Sequence, residues 1–558
     1  MLQNLFITLK RQKTHRIIYI VLLFALAISM TTSTYVTNMC WVFLLVNWVL
    51  EWNWQGKFRN FRGNYLLQAF LALTAAVVAG LFWSHNLVYG IDYMRRFLPV
   101  IVLPLVILTT PPLKGNHVRR LLMVYVATIF VVTIIGLVRY LSHPSLPYRE
   151  IVPCISHIRF ALNLCFAICI LLGWAFEPAY NYYAKKAQQG GLVAHKTPAD
   201  MLRSLQASFA VMGRRHFDWI SIVCMLAVAW FMAFLLLIQS YTAFVILFVT
   251  AIVMLMVYWR RIYAKPVKWT MLSLWLAVAA TMTLTVVGNM KSYYRLSPLA
   301  LAPLAEKTAG GRPFEHACDG IIESGNYVNN YVCKEELCNE WNRRSKLPAD
   351  SISDNGYPYY SILIRYLNAK GLTKDSVGVW QLTDADVRQV EQGVENPAYT
   401  QHGIKRMIYV MLFEKENYCK AHAVSGFSTL QRFELWKAGW QAFRQHPLFG
   451  TGTGDVVDAL HHQLQQQGSV LVTTSKHTHS QYLTWLITFG ILGFSIIAFF
   501  FVRAFVRHRM FQPPLLMANI CIILISFVSE DTLETLAGGV FCTLFLCLFL
   551  ASARAKEQ

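Results

Sequence analysis

Charge is scarce in this sequence: 14% of its 558 residues are Asp, Glu, Lys or Arg, against 56% hydrophobic, and the mean hydropathy is +0.41. That balance excludes an ordinary soluble chain and marks an integral membrane protein. No internal repeat or low-complexity tract occurs. No CxxC pair occurs among the twelve cysteines, which argues against a zinc site built from them. The Gly-rich stretch "GTGTGD" lacks the Lys-Ser/Thr of a P-loop and follows a helix instead of a strand.

What is abundant is apolar runs long enough to cross a hydrocarbon core of about 30 Å. About twelve can be counted, at residues 17–34, 36–52, 65–83, 97–110, 121–141, 158–176, 219–238, 240–259, 269–290, 479–502, 515–528 and 533–552. Backbone groups in lipid must be satisfied within the segment, so every span is expected to be a helix. The sequence therefore predicts an all-α polytopic membrane protein. Its parts are an N-terminal membrane part (1–290, about nine helices), a large and mainly helical extracytoplasmic insertion (291–478), and a C-terminal membrane part (479–558, about three helices). The basic N-terminus shows no small-residue cleavage site and is read as a retained first helix.

The net charge of +21 raises the question of a nucleic-acid partner, and its location answers it. Residues 291–478 hold 20 Lys+Arg against 19 Asp+Glu, which leaves 30 against 10 for the membrane parts. Basic residues recur in every second loop, at Lys10 to Arg16, Lys57 to Arg62, Lys114 to Arg120, Lys185 to Arg215, Arg260 to Lys268, Arg503 to Arg509 and Arg554/Lys556. This is a positive-inside pattern with both termini cytoplasmic, so no nucleic acid is implied. On the outer side the membrane parts carry Arg95, Arg96, Arg139, Arg149 and Arg159 and no lysine. Arginine's planar fork takes phosphate oxygens two at a time; snorkelling, or pairing with Asp92 and Glu150, is the plainer use of the same residues. Cys318, Cys333, Cys338 and Cys419 fall in the insertion, where an oxidising compartment permits disulfides of unreadable connectivity.

Several features converge on the outer face: His157 and Arg159 at the mouth of the sixth span, Arg95 and Arg96 before the fourth, Arg432, "HPLFGTGTGD" (446–455) with Gly450, Gly452 and Gly454, and His477 and His479. The segment 429–446 reads as an amphipathic helix with a stripe of Leu430, Phe433, Trp436 or Lys437, Trp440 and Phe443, suited to a membrane surface or to a cavity cap; packing within the insertion serves as well. His477-x-His479 with His461/His462 has no acidic residue at metal-ligand spacing, so no metal is expected.

The stretch "HSQYLTWLITFGILGF" places a tyrosine three residues after His479 and two glycines, Gly490 and Gly493, deeper in the span. It resembles the H-N/S-x-Y-L and G-x-x-G signature of the O-antigen ligase and O-antigen polymerase superfamily. "QRFELWKAGWQAFRQHPLFGTGTGD" resembles the same family's preceding block. "SHIRFALNLCFA" (156–167), "NYVCKEELCNEWNRRS" (330–345), "LIRYLNAKGLTKDSVGVWQLTDADV" (363–387) and "ISFVSEDTLETLAGGVF" (525–541) are similar to its Bacteroidetes-type branch. In one respect the chain departs from the pattern: "LIQSYTAFV" has Tyr241 where many members carry an arginine, so a basic contact there does not transfer.

The resemblance implies transfer of a glycan from an undecaprenyl-diphosphate carrier to a hydroxyl acceptor at the periplasmic face of the bacterial inner membrane, with lipid A-core as acceptor. No cofactor is implied. In that frame Arg159, Arg432 and one of Arg95/Arg96 stabilise the leaving diphosphate. His479 removes the acceptor proton or binds the diphosphate. His157, His477, Gly450, Gly452 and Gly454 are further diphosphate contacts, and Glu530 and Asp531 either orient an arginine or the acceptor or cap the last helix. A polymerase or a protein O-oligosaccharyltransferase would differ only in acceptor. A transporter would put ionisable groups at span centres, and few are there.

Overall fold

The computed structural model describes residues 2–143, 150–188, 219–259, 265–317, 320–353, 356–400, 404–421, 428–473 and 477–557. Arg149, Cys318, residues 189–218 of the basic loop and the Cys419 side chain lie outside the described residues. Each apolar run read from the sequence falls on a helix. Among the described residues, six helices are long and apolar enough to cross a membrane: Gln12–Thr32, Gly115–Ser142, His157–Glu177, Trp219–Leu237, Gln481–Arg507 and Leu536–Arg554. The pair Trp54–Phe61 and Tyr65–Leu81, bent by 90°, makes a seventh if counted as one span, and Thr34–Leu50, Thr242–Tyr258 and Pro514–Ser529 are shorter apolar helices. The protein is a mostly helical, polytopic membrane protein.

Two boundaries differ from the sequence expectation in ways that matter for the site. The fourth apolar run begins ten residues earlier than its hydropathy indicates, as helix Leu87–Thr109, because the Asn86 side chain caps it by accepting the Tyr89 amide at 3.1 Å. Arg95 and Arg96 therefore sit inside this helix, not ahead of it. Helix Gln481–Arg507 begins two residues after His479 and is broken at Gly490, whose φ of 65° and ψ of −173° are not helical.

The chain divides into two compact units, Met1–Trp269 with Glu434–Gln558, and Thr270–Phe433. In the first, helices in contact approach closely where side chains are small, as lipid offers no hydrophobic drive for association. A side chain on Gly136 would meet the Phe234 ring, and one on Gly539 would meet Val100. Residues 434–478 cluster with these helices because Gly439 lets helix Ser428–Gln445 lie directly on Leu483 and Thr478.

The second unit has a core of its own, built on Leu337, Trp341, Ile362, Leu363, Tyr366 and Leu367 from helices Lys334–Arg344 and Tyr359–Lys370. A two-stranded antiparallel ribbon pairs Ile322–Glu323 with Asn326–Tyr327. Two cations lie beside it, Lys374 buried and Arg365 half-buried. Arg365 is held by Glu323 at 2.9 Å and by Glu395, under the Phe413 ring at 3.8 Å. Lys374 gives its ammonium protons to Tyr327 O, Asn330 O and Asn368 Oδ1 at 2.9 to 3.2 Å. Cys333 is a buried free thiol and Cys338 a half-buried one.

Candidate active site

Polar residues recur along one side of the apolar 481–507 helix and the turn before it: Thr478, Gln481, Thr484 and Thr488 are all buried. Their partners come from the short connection between helices Pro514–Ser529 and Leu536–Glu557, where Glu530, Asp531 and Glu534 are buried as well. Buried carboxylates persist only when their oxygens are satisfied. Asp531 Oδ1 accepts from Thr484 Oγ1 at 2.7 Å and Oδ2 accepts the His479 amide at 2.7 Å. Thr478 Oγ1 lies 2.8 Å from Thr484 Oγ1 and 3.0 Å from Ser480 O, to which it donates. Burial pushes the Asp531 carboxyl up, against the Thr484 hydrogen bond and the nearby His479 and Arg159. Glu534 Oε1 accepts from Gln481 Nε2 and Tyr93 OH, both at 2.9 Å, while Gln481 Oε1 takes the Leu533 amide at 2.8 Å.

This network fixes the turn that carries His479. The residue has a φ of 54°, a left-handed conformation uncommon outside glycine, and the Asp531 carboxylate holds its amide there. The imidazole Nδ1 lies 3.8 Å from Glu530 Oε2, with the side chain 42% exposed. Arg159, in the first turn of helix His157–Gln188, approaches from the other side. Its Nε donates to Thr535 Oγ1 and its Nη2 to the Asp531 carbonyl, both at 3.1 Å, and Nη1 stands 3.5 Å from the same Glu530 oxygen. Arg159 Nη1 is buried and makes no hydrogen bond. One Glu530 oxygen therefore lies between a guanidinium and an imidazole, and the imidazole is the partly exposed member of the pair.

The other sequence candidates are placed less centrally. Arg96 pairs with Asp92 one turn back at 3.1 Å and lies 5.4 Å over the Tyr89 ring, while Arg95 on the same helix is exposed. Their helix is tied to the site through Tyr93 and Glu534. His157 and His477 are half-buried, the first two residues from Arg159 and the second two from His479. Arg432 belongs to the second unit and is half-buried. Among the described residues no group of three His, Cys, Asp or Glu side chains is placed to hold a metal ion.

The Gly-rich loop serves a different purpose from a phosphate cradle. The amides of Gly450, Thr451, Gly452, Thr453 and Gly454 donate in turn to His446 O, Ile487 O, Thr488 O, Gly80 O and Ser84 Oγ at 2.8 to 3.2 Å, which leaves none for a phosphate. Asp455 takes the place of an anion, accepting the amides of His85 and Asn86 ahead of helix Leu87–Thr109 at 2.7 to 3.0 Å. The glycines allow backbone to touch backbone: a Cβ on Gly490 would strike Leu448 O, and one on Gly450 would strike Thr488 O. Gly490→Ala adds that clash to a conformation open almost only to glycine, and a loss of about 1–3 kcal/mol is expected from the backbone strain alone. The unfolding midpoint in detergent should fall clearly, while Gly288→Ala, where a new Cβ meets nothing within 4 Å, should not lower it.

The 428–445 helix also differs from its expected stripe. Leu430, Leu435, Ala438, Ala442 and Phe443 are buried, whereas Phe433 and Trp440 are 56% and 51% exposed. Seating Gly439 against Leu483 turns the aromatic pair outward. Leu448 and Phe449, just after the helix, are exposed too, and Trp440 adjoins the residue that touches Thr478.

Residues 399–498 match the protein family described as O-antigen ligase. The match covers this segment and less than half of the chain. It includes Arg432, the 428–445 helix, the Gly-rich loop, His477 and His479, and it stops short of Arg159, Glu530 and Asp531. No curated protein matches the chain. Together with the apolar helices, the O-antigen ligase match marks a glycosyltransferase-like enzyme of lipopolysaccharide biosynthesis in the bacterial inner membrane.

Proposed function

We propose that the protein ligates O-antigen to lipid A-core, transferring the glycan from undecaprenyl diphosphate to a hydroxyl of the core. The observation that carries this reading is the approach of Arg159 Nη1 and His479 Nδ1 to one buried oxygen of Glu530, at 3.5 and 3.8 Å. The acceptor oxygen attacks the anomeric carbon, the bond from that carbon to the diphosphate breaks, and the acceptor proton passes to His479 Nε2. Glu530 then faces the imidazolium at Nδ1, the logic by which a carboxylate supports a histidine base; the 3.8 Å gap closes as substrate binds. Arg159 Nη1 supports the charge that develops on the departing diphosphate.

One arginine among three carboxylates is too little positive charge for a diphosphate. Arg95, Arg96, His157, His477 and Arg432 are accordingly assigned to complete its binding, without a metal ion. The lipid tail would lie along the exposed face carrying Trp440, Leu448 and Phe449, since indole and phenyl rings favour the membrane interface. In this reading there are twelve membrane spans with both termini in the cytoplasm and the site in the periplasm.

Deletion of the gene should leave bare lipid A-core and long glycan chains stranded on the carrier, seen by electrophoresis of lipopolysaccharide beside a blot for carrier-linked glycan. Wild-type complementation should reverse both. Core bearing a single repeat would assign the polymerase reaction instead, and unchanged lipopolysaccharide would refute both and leave glycoproteins or transport.

A further inference from the structure

At the far end of the 481–507 helix, away from His479, the first unit carries a second cationic cluster with a different surrounding. Helix Trp54–Phe61 runs at 90° to Tyr65–Leu81, as a helix lying in a membrane interface does, with Phe58 64% exposed. On its inner side Lys57 is buried, paired with Glu51 at 3.1 Å and set 4.6 Å over Trp48. Glu51 is the only acidic residue between 51 and 65, and none occurs between 503 and 514, so the acid of this region is already committed.

Arg503 and Arg507 lie 4.8 and 6.0 Å over the ring of Tyr65, and both are exposed. Arg62, three residues before Tyr65, is exposed as well, and Arg59 and Arg509 flank the cluster in sequence. Among the described residues none of the five pairs with a carboxylate. His508 is a neutral neighbour: its Nε2 accepts the Tyr65 amide at 3.1 Å. Burial and the Arg554 charge hold that imidazole down, at about 4. Two guanidiniums one turn apart repel each other, and sharing a ring holds them together instead of letting them part. An anion in front of that ring removes the penalty.

We propose that Arg503 and Arg507, over the Tyr65 ring, form a binding site for the phosphate headgroup of an anionic phospholipid. The flat 54–61 helix with Phe58 outward sets the depth of the site at the headgroup level, where a soluble phosphate has no reason to concentrate and a lipid phosphodiester is held by its chains. The stacked guanidiniums keep their forks free for its oxygens. The inference does not rest on glycan transfer, and its test reads binding alone.

The full chain, purified and delipidated in detergent, is titrated with nanodisc-derived phosphatidylglycerol or phosphatidylcholine and followed by native mass spectrometry. Phosphatidylglycerol should be retained over phosphatidylcholine, and each of Arg503→Gln and Arg507→Gln should weaken its retention about fivefold, in line with the usual worth of one basic residue at an anionic surface. The double variant Arg503→Lys with Arg507→Lys keeps charge and fold and should retain the lipid only partly. Equal retention of the two lipids, or retention unaffected by the glutamine variants with an unchanged unfolding midpoint, overturns the proposal. So does displacement of phosphatidylglycerol by millimolar inorganic phosphate, which would make this a soluble-anion site.

Discussion

Replacing Arg159 by lysine is expected to lower glycan transfer by about 10²–10³, the usual cost of losing one preorganised donor to a developing negative charge. The side chain points three ways: Nε donates to Thr535, Nη2 to the Asp531 carbonyl, and Nη1 stands 3.5 Å from Glu530 without a hydrogen bond. A lysine supplies one point of charge for three directions, so it either keeps Glu530 company or reaches the substrate, and it leaves Asp531 O or Thr535 without a donor. Arg159→Ala is expected to fall as far in rate and in addition to unfold more easily, because removing one member of a buried ion pair costs about 3–5 kcal/mol. Pairing Arg159→Met with Glu530→Gln separates the two effects. The double variant should recover the unfolding midpoint and recover no transfer, measured in a single turnover with carrier-linked glycan in detergent. If Arg159→Lys transfers at the wild-type rate, Arg159 is a structural ion pair and the diphosphate is held elsewhere.

Much of this arrangement is legible in the sequence, and the parts that are not share a cause. The helices follow from apolar length, and the stretch "FVSEDTLET" shows three acids between two apolar runs, the pattern from which Glu530 and Asp531 are noticed at once. Thr484 and Gln481 carried a signal that hydropathy alone passes over: Gln481, Thr484 and Thr488 are polar residues at helical spacing inside an apolar run, and such residues in a membrane helix require partners. What could not be read is which distant backbone supplies an acceptor. The Gly-rich loop resembles an anion cradle until Gly80 O, Ser84 Oγ and the 487–488 carbonyls are seen to occupy its amides. Likewise Arg159 and Asp531 are 372 residues apart, and no spacing rule joins them. Hydropathy placed Arg95 and Arg96 outside a helix because it cannot see a cap: Asn86 starts the helix in a polar stretch that the adjoining apolar run extends.

His479→Ala is expected to lower transfer by about 10²–10⁴, the contribution of a positioned general base. The backbone makes this a cleaner test than most alanine substitutions. At a φ of 54° alanine bears much the same strain as histidine, and the amide bond to Asp531 is made by the main chain, so the turn survives the change. His479→Gly relieves the strain and should raise the unfolding midpoint slightly while transferring no better than alanine, which separates the side chain's chemistry from its place in the fold. Added imidazole should restore part of the rate in His479→Gly, where it has most room. Glu530→Gln should lose rate, because a neutral amide no longer supports the imidazolium across Nδ1. If imidazole restores nothing in His479→Gly, the base is another group, and His479 then serves the diphosphate through a neutral N–H. That outcome would leave Arg159 as the residue on which the site turns and would move the search for the base to His157 and His477, the two histidines placed within two residues of these partners.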